Sequence, residues 1–132
     1  MAVVVVAEDD DDLRSLAVRI LKRAGHVVHA SPNGAEALRQ LQIHEVDVVL
    51  SDIDMPVMSG VELGKQIRAD PRTASLPILL ASGSLVPGDE RPQQAQATAI
   101  LCKPYGAQEL VTCLEKVLVE GHQPGRPPME WS

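Results

Sequence analysis

The chain has 132 residues but no phenylalanine, one tryptophan, one tyrosine and only two cysteines. It is also short of positive charge: 12 Lys and Arg stand against 18 Asp and Glu, a formal net charge of −6. Each shortage excludes something. Without a basic surface the chain lacks the electrostatic footprint that dominates nucleic-acid affinity. Two aromatic rings cannot supply the stacking platforms of a single-strand binder. The longest uninterrupted apolar stretch near the start, Ala2 to Ala7, falls far short of the ~20 residues of a membrane span. No basic segment leading to a cleavage site opens the sequence, so no signal peptide is expected. Cys102 and Cys113 form neither a CxxC pair nor a metal-ligand set. They read as reduced, buried thiols, which fits a cytoplasmic compartment.

What is present is a large aliphatic content. With 45% hydrophobic residues the chain must bury a core, built from Val, Leu, Ile, Ala and Met. The length suits one domain. Short apolar runs alternate with segments of helical period. Val3 to Ala7 is a continuous run, the mark of a strand buried on both faces. Leu13, Leu16, Ala17, Ile20, Leu21 and Ala24 follow at helical spacing, with Gly25 as a stop. His26 to Ala30 reads as a second strand, and Ser31-Pro32-Asn33-Gly34 as a turn. A helix carrying Ala35, Leu38 and Leu41 ends near His44; Val46 to Ser51 is a third strand. A helix from about Val61 to Ala69 is broken by Asp70-Pro71. Ile78 to Ala81 and Ala99 to Cys102 are further strands, with a short helix expected over Gln93 to Ala97 and a last one over Ala107 to Glu120. Residues 121–132, with three prolines, two glycines and Trp131, read as a flexible tail or linker.

This alternation predicts an α/β domain over residues 2–120, a parallel sheet with helices on both faces and right-handed crossovers. In such sheets ligands bind beyond the carboxyl ends of the strands. The residues there form a selective set: Glu8 and Asp9 after the first strand, Asp52 after the third, Ser82 after the fourth and Lys103 after the fifth. Clustered carboxylates repel one another unless a cation is present. Oxygen ligands with open water positions suit Mg²⁺, which also binds phosphate. Asp52 is the natural nucleophile, because carboxylates form aspartyl-phosphate intermediates. Lys103 supplies a compact positive charge, and the Ser82 hydroxyl can donate to a phosphoryl oxygen.

The ordered motifs Glu8-Asp9, Leu13-Arg14, Asp52-Ile53-Asp54-Met55-Pro56, Ser59-Gly60, Ser82 and Lys103-Pro104 resemble those of the response-regulator receiver domain of two-component signalling. The resemblance covers about residues 2 to 120. It implies a doubly wound five-stranded (βα)5 sheet of order 2-1-3-4-5. It implies a signalling phosphoacceptor rather than an enzyme: Asp52 would accept a phosphoryl group from a histidine kinase or a histidine phosphotransfer protein. Asp9 and Asp52 would ligate Mg²⁺ with the backbone carbonyl of Asp54, and Glu8 would act in the acidic pocket through water. Ser82 and Lys103 would bind phosphoryl oxygens, and the Lys103-Pro104 bond would be cis. The side chains of Asp54 and Ser84 would tune hydrolysis of the phosphoaspartate.

Three positions depart from the family pattern. Ile100 stands where an aromatic switch residue is usual, Gly83 stands for the usual Ala, and Pro87 and Pro92 interrupt the expected fourth helix. The chemistry therefore reads as intact and the output surface as altered. Two alternatives remain at this level. One is a pseudo-receiver that only binds partners. The other is a haloacid-dehalogenase-type phosphatase, whose Asp-x-Asp motif Asp52-Ile53-Asp54 matches in part, although that family carries it on the first strand. His26, His29, His44 and His122 show no ligand spacing and read as structural or surface residues. The downstream effector and the oligomeric state, a homodimer included, are left open.

Overall fold

The computed structural model describes residues 1–131. In chain order the elements are β1 (Val3–Ala7), α1 (Asp11–Arg23), β2 (Val27–Ser31), α2 (Gly34–Ile43), β3 (Val48–Asp52), α3 (Gly60–Ala69), β4 (Ile78–Ser82), α4 (Arg91–Gln94), β5 (Ala99–Cys102), α5 (Ala107–Glu120) and β6 (Met129–Trp131). All strand pairs are parallel, in the order β2-β1-β3-β4-β5-β6. β1 is flanked by β2 on one side and β3 on the other. The order reverses there, which opens a crevice above the carboxyl ends of β1 and β3.

The sheet is central because its strands are apolar on both faces. Side chains alternate along β1: Val4 and Val6 pack with Ala17 and Leu21 of α1 and with Leu110, Leu114 and Val117 of α5. Val5 and Ala7 face the opposite way, toward Ala37 and Leu41 of α2 and Leu63 and Ile67 of α3. The β-branched valines hold restricted rotamers suited to this pleated surface. Among the described residues the fully buried core is aliphatic, with Cys113 added and no ring.

The helix starts carry conventional caps. Asp10 is the N-cap of α1, accepting hydrogen bonds from the amides of Asp12 and Leu13 at 2.9 and 3.0 Å. Asn33 caps α2, and Ser59 with Glu62 forms a capping box at α3.

Three expectations are corrected. α4 runs over Arg91–Gln94 instead of 93–97: Pro92 is tolerated only in a first turn, and Gln96, at φ 51°, ends the helical run. Cys102 is exposed, not buried, because this four-residue helix leaves the end of β5 uncovered. The third concerns the segment expected as a tail. Gly121, at φ 71°, turns the chain back, and Met129–Trp131 adds a sixth strand along β5, with Met129 packed on the core. A bare β5 edge would present unpaired backbone groups, and this strand covers it. Residue 132 of that segment lies outside the described residues.

Candidate functional site

The loop after β1 carries Glu8 and Asp9, and β3 ends on Asp52. Oxygens of these three carboxylates lie within 4.8 Å of one another. Glu8 is buried, Asp52 half-buried and Asp9 exposed, so the cluster opens to solvent on the Asp9 side. Lys103, immediately after β5, reaches across: its Nζ lies 2.5 Å from Glu8 Oε1 and 3.4 Å from Asp52 Oδ2. Asp52 Oδ1 accepts a hydrogen bond from the Ile53 amide at 2.8 Å, and Glu8 Oε2 accepts one from the Asp10 amide at 3.3 Å.

The electrostatics follow from this geometry. Burial pushes the Glu8 carboxyl above its ordinary range; the hydrogen bond from Lys103 opposes this, and the charge of Asp52 adds to it. Burial alone would lower the Lys103 ammonium. Its hydrogen bond to Glu8 and the charge of Asp52 outweigh that and hold it above its usual value. Three carboxylates against one ammonium leave an excess of negative charge around clustered oxygen donors. That donor set fits a hard divalent cation such as Mg²⁺.

Backbone packing fixes the frame. A Cβ on Gly60 would overlap the carbonyl oxygen of Asp52 and lie 3.0 Å from Ile53 Cα, so only glycine allows α3 to start here. The Gly60 amide donates to Ile53 O at 2.8 Å. In the loop between them, the Met58 amide donates to Pro56 O at 2.7 Å across Val57. Val57 has φ 69°, the left-handed side of a γ-turn and strained for a β-branched residue. Arg14 of α1 donates from Nη1 to Glu8 O at 2.9 Å and pairs with Asp11, tying α1 to the end of β1. The Lys103-Pro104 bond is cis, as expected.

Ser82 ends β4 and is buried, and the Lys103 amide donates to its carbonyl at 3.0 Å. Its hydroxyl meets Ser84 Oγ at 2.9 Å. The Asp54 side chain lies outside the carboxylate cluster: it accepts from Ser84 Oγ at 2.7 Å and from Arg91 Nη1 at 3.2 Å. Ile100 is buried in β5 and lines a cavity of about 370 Å³ with Val86, Pro92 and Cys102.

Arg91 escaped the sequence reading. The slight signal it offered was Asp89, an opposite charge two residues before it. The four histidines lie outside the carboxylate cluster. His29 and His44 stack at 3.7 Å, the Nδ1 of His26 accepts from the Ala2 amide, and His122 sits beside Arg68 and Thr98.

Comparison with known proteins places this arrangement. The model of the response regulator receiver domain matches residues 4–115. The chain belongs to that family, the receiver domains of two-component signalling. It is 36% identical over 120 residues to the response regulator receiver protein CpdR of Brucella abortus, covering 88% of this chain and 96% of that one. The chemotaxis response regulator CheY4 of Vibrio cholerae superposes with a TM-score of 0.84 at 32% identity, covering 89% of this chain and 98% of the other. The receiver domain of a sensor histidine kinase from Pseudomonas aeruginosa, solved with magnesium in its active-site cleft, gives 0.83 at 25% identity, with 89% and 98% covered. The chain spans only 15% and 12% of two larger proteins it also matches, a gliding motility regulator and a sensor kinase. The likeness extends over the parallel sheet, in which this chain orders its strands β2-β1-β3-β4-β5-β6. Asp52-Ile53-Asp54 sits at the end of the third strand, unlike the phosphatase alternative.

Proposed function

We propose that residues 2–120 are a cytoplasmic phosphoacceptor module in which Asp52 takes a phosphoryl group from a phosphohistidine of a histidine kinase or histidine phosphotransfer protein. The observation that carries this is the convergence of Glu8, Asp9, Asp52 and Lys103 at the carboxyl ends of β1, β3 and β5. In the transfer, a carboxylate oxygen of Asp52 forms the new O–P bond as the N–P bond breaks, and the imidazole leaves with its electron pair and takes a proton. Asp52 Oδ1 is held by the Ile53 amide, which leaves Oδ2, facing Lys103, to attack. Phosphoryl transfer needs mainly positioning and charge neutralisation. Lys103 exchanges its bond to Glu8 for one to a phosphoryl oxygen, and the Ser82 hydroxyl donates to another. Mg²⁺, held by Asp9, Asp52 and the Asp54 carbonyl with Glu8 behind them, would neutralise charge on the incoming group. The module acts on itself and turns over no external substrate.

The test is incubation of wild type and Asp52→Ala with acetyl phosphate, with and without Mg²⁺, followed by intact-protein mass measurement. A Mg²⁺-dependent phosphoryl adduct on wild type alone is expected. No adduct, or equal adducts on both, would overturn the proposal and leave an interaction-only module. Continuing turnover of small phosphate esters would favour the phosphatase class.

A further inference from the structure

The edge of the sheet opposite the phosphoacceptor also gathers side chains. Ala2, His26, Asp47 and Pro77 stand directly before β1, β2, β3 and β4, and all four line one depression of about 540 Å³. In a parallel sheet every strand starts at the same edge. Strands of this length place the depression roughly 16 Å from Asp52.

His26 is buried at this depression, and its ring is held in place. Its Nδ1 accepts from the Ala2 amide at 3.0 Å, the Val27 amide donates to Ala2 O at 2.9 Å, and the His26 amide donates to Leu21 O at 3.1 Å. Because Nδ1 accepts, the proton of the neutral imidazole sits on Nε2, which makes Nε2 a donor. The side chain is only 6% exposed, and among the described residues Nε2 has no hydrogen-bond partner. The carboxylate it faces, Glu115 Oε2, is 4.0 Å away, beyond hydrogen-bond reach, and lines the same depression. Buried donors in folded proteins are paired in the great majority of cases. This one is fixed, unpaired and directed at an opening.

The walls define what fits. Met1 and Val119 are 93% and 87% exposed, and Leu118 stands beside Val119 on α5. Large aliphatic side chains left bare around one depression mark a contact surface. Glu115 and Asp47, which accepts from the Val3 amide at 2.7 Å, add two carboxylates. Among the described residues no cationic side chain lines the depression. An occupant needs an oxygen acceptor for His26, an aliphatic side chain for Leu118 and Val119, and a positive charge for Glu115. An extended peptide segment with a large aliphatic residue next to Lys or Arg offers all three, its backbone carbonyl being the acceptor.

We propose that the base of the sheet is a docking site for a basic, aliphatic segment of a partner protein, in which His26 Nε2 holds the segment's backbone and Glu115 selects Lys or Arg. The site is separate from the cluster of Glu8, Asp9 and Asp52, so an occupant leaves Asp52 open to phosphoryl transfer.

The experiment titrates the full chain with three capped hexapeptides, of alternating Leu-Lys, Leu-Glu or Ser-Lys sequence, and follows amide and imidazole resonances by NMR. The Leu-Lys peptide should move the amides of His26, Val27, Glu115 and Val119 and the His26 Nε2–H resonance; the other two should not. Glu115→Lys should weaken this binding at least about 10-fold by reversing the selecting charge. Val119→Ser should weaken it about 3-fold. Both change exposed side chains, so the fold is kept. His26→Asn keeps an acceptor oxygen for the Ala2 amide but removes Nε2, and should cost about 10-fold, the weight of one hydrogen bond. No shift at these residues, equal shifts with the Leu-Glu peptide, or undiminished binding by Glu115→Lys and His26→Asn overturns the inference. Shifts confined to Glu8, Asp9 and Ile53 overturn it as well, since they put the peptide on the acidic cluster instead.

Discussion

Replacing Gly60 by alanine tests how tightly the phosphoacceptor is built into the fold. A Cβ there overlaps the carbonyl oxygen of Asp52 and stands only 3.0 and 3.1 Å from Ile53 Cα and Asp52 C. All three neighbours are backbone, so no side chain can swing aside. The start of α3 must move away from the end of β3, stretching the 2.8 Å bond from the Gly60 amide to Ile53 O. Overpacking of this kind costs about 1–3 kcal/mol, and the stretched hydrogen bond adds about 1 kcal/mol. With a urea dependence of about 2 kcal/mol per molar, the unfolding midpoint should fall by about 1 to 2 M. Because the displaced backbone belongs to Asp52, phosphoryl uptake by the folded variant should slow by about 10- to 100-fold. Gly83→Ala is the internal comparison. Its Cβ meets only Lys103 Cβ, at 3.7 Å, an ordinary contact. That change should be neutral or stabilise by up to about 1 kcal/mol through the unfolded chain. Equal midpoints for the two variants, or a larger loss for Gly83→Ala, would refute the packing argument.

Removing the only ammonium in the acidic cluster, with Lys103→Met, should destabilise the protein by about 2 kcal/mol, with millimolar Mg²⁺ restoring part of the loss. Thermal unfolding with and without Mg²⁺ reads this, and no Mg²⁺ effect would count against the cation site. His122 should titrate below the ordinary histidine range, first because it is buried and second because it faces Arg68. A depressed folded value means that protonation favours the unfolded chain, so this contribution to stability is present above about pH 6.5 and is lost as pH falls through the folded value. NMR titration of the imidazole and melting curves from pH 7.5 to 5 check the sign; a midpoint above the ordinary value would contradict it.

The sheet was legible because β1, β3 and β4 are buried on both faces and so spell continuous apolar runs. The starts of α1 and α3 are set locally, by the caps Asp10 and Ser59, which is why the expected start of the third helix near Val61 falls within one residue of Gly60. Glu8, Asp9, Asp52, Ser82 and Lys103 were found because topology puts every strand end on one edge. What escaped depends on contacts distant in sequence. β6 hides in a Pro/Gly-rich segment whose strand character arises only from pairing with β5. Cys102 looked buried because its strand is, but side-chain cover there depends on the length of α4. Arg91 gives almost no local signal, since its partners Asp54 and Ser84 are 37 and 7 residues away.

The most direct test of the phosphoacceptor account is to trap the product where it forms. Wild type treated with acetyl phosphate and Mg²⁺ is reduced with borohydride, which converts an acyl phosphate of aspartate to homoserine, then digested and sequenced by tandem mass spectrometry. The account predicts homoserine at position 52, and only when Mg²⁺ is present. Homoserine at Asp9 or Asp54 instead, or none at any position while acetyl phosphate is consumed, would contradict it.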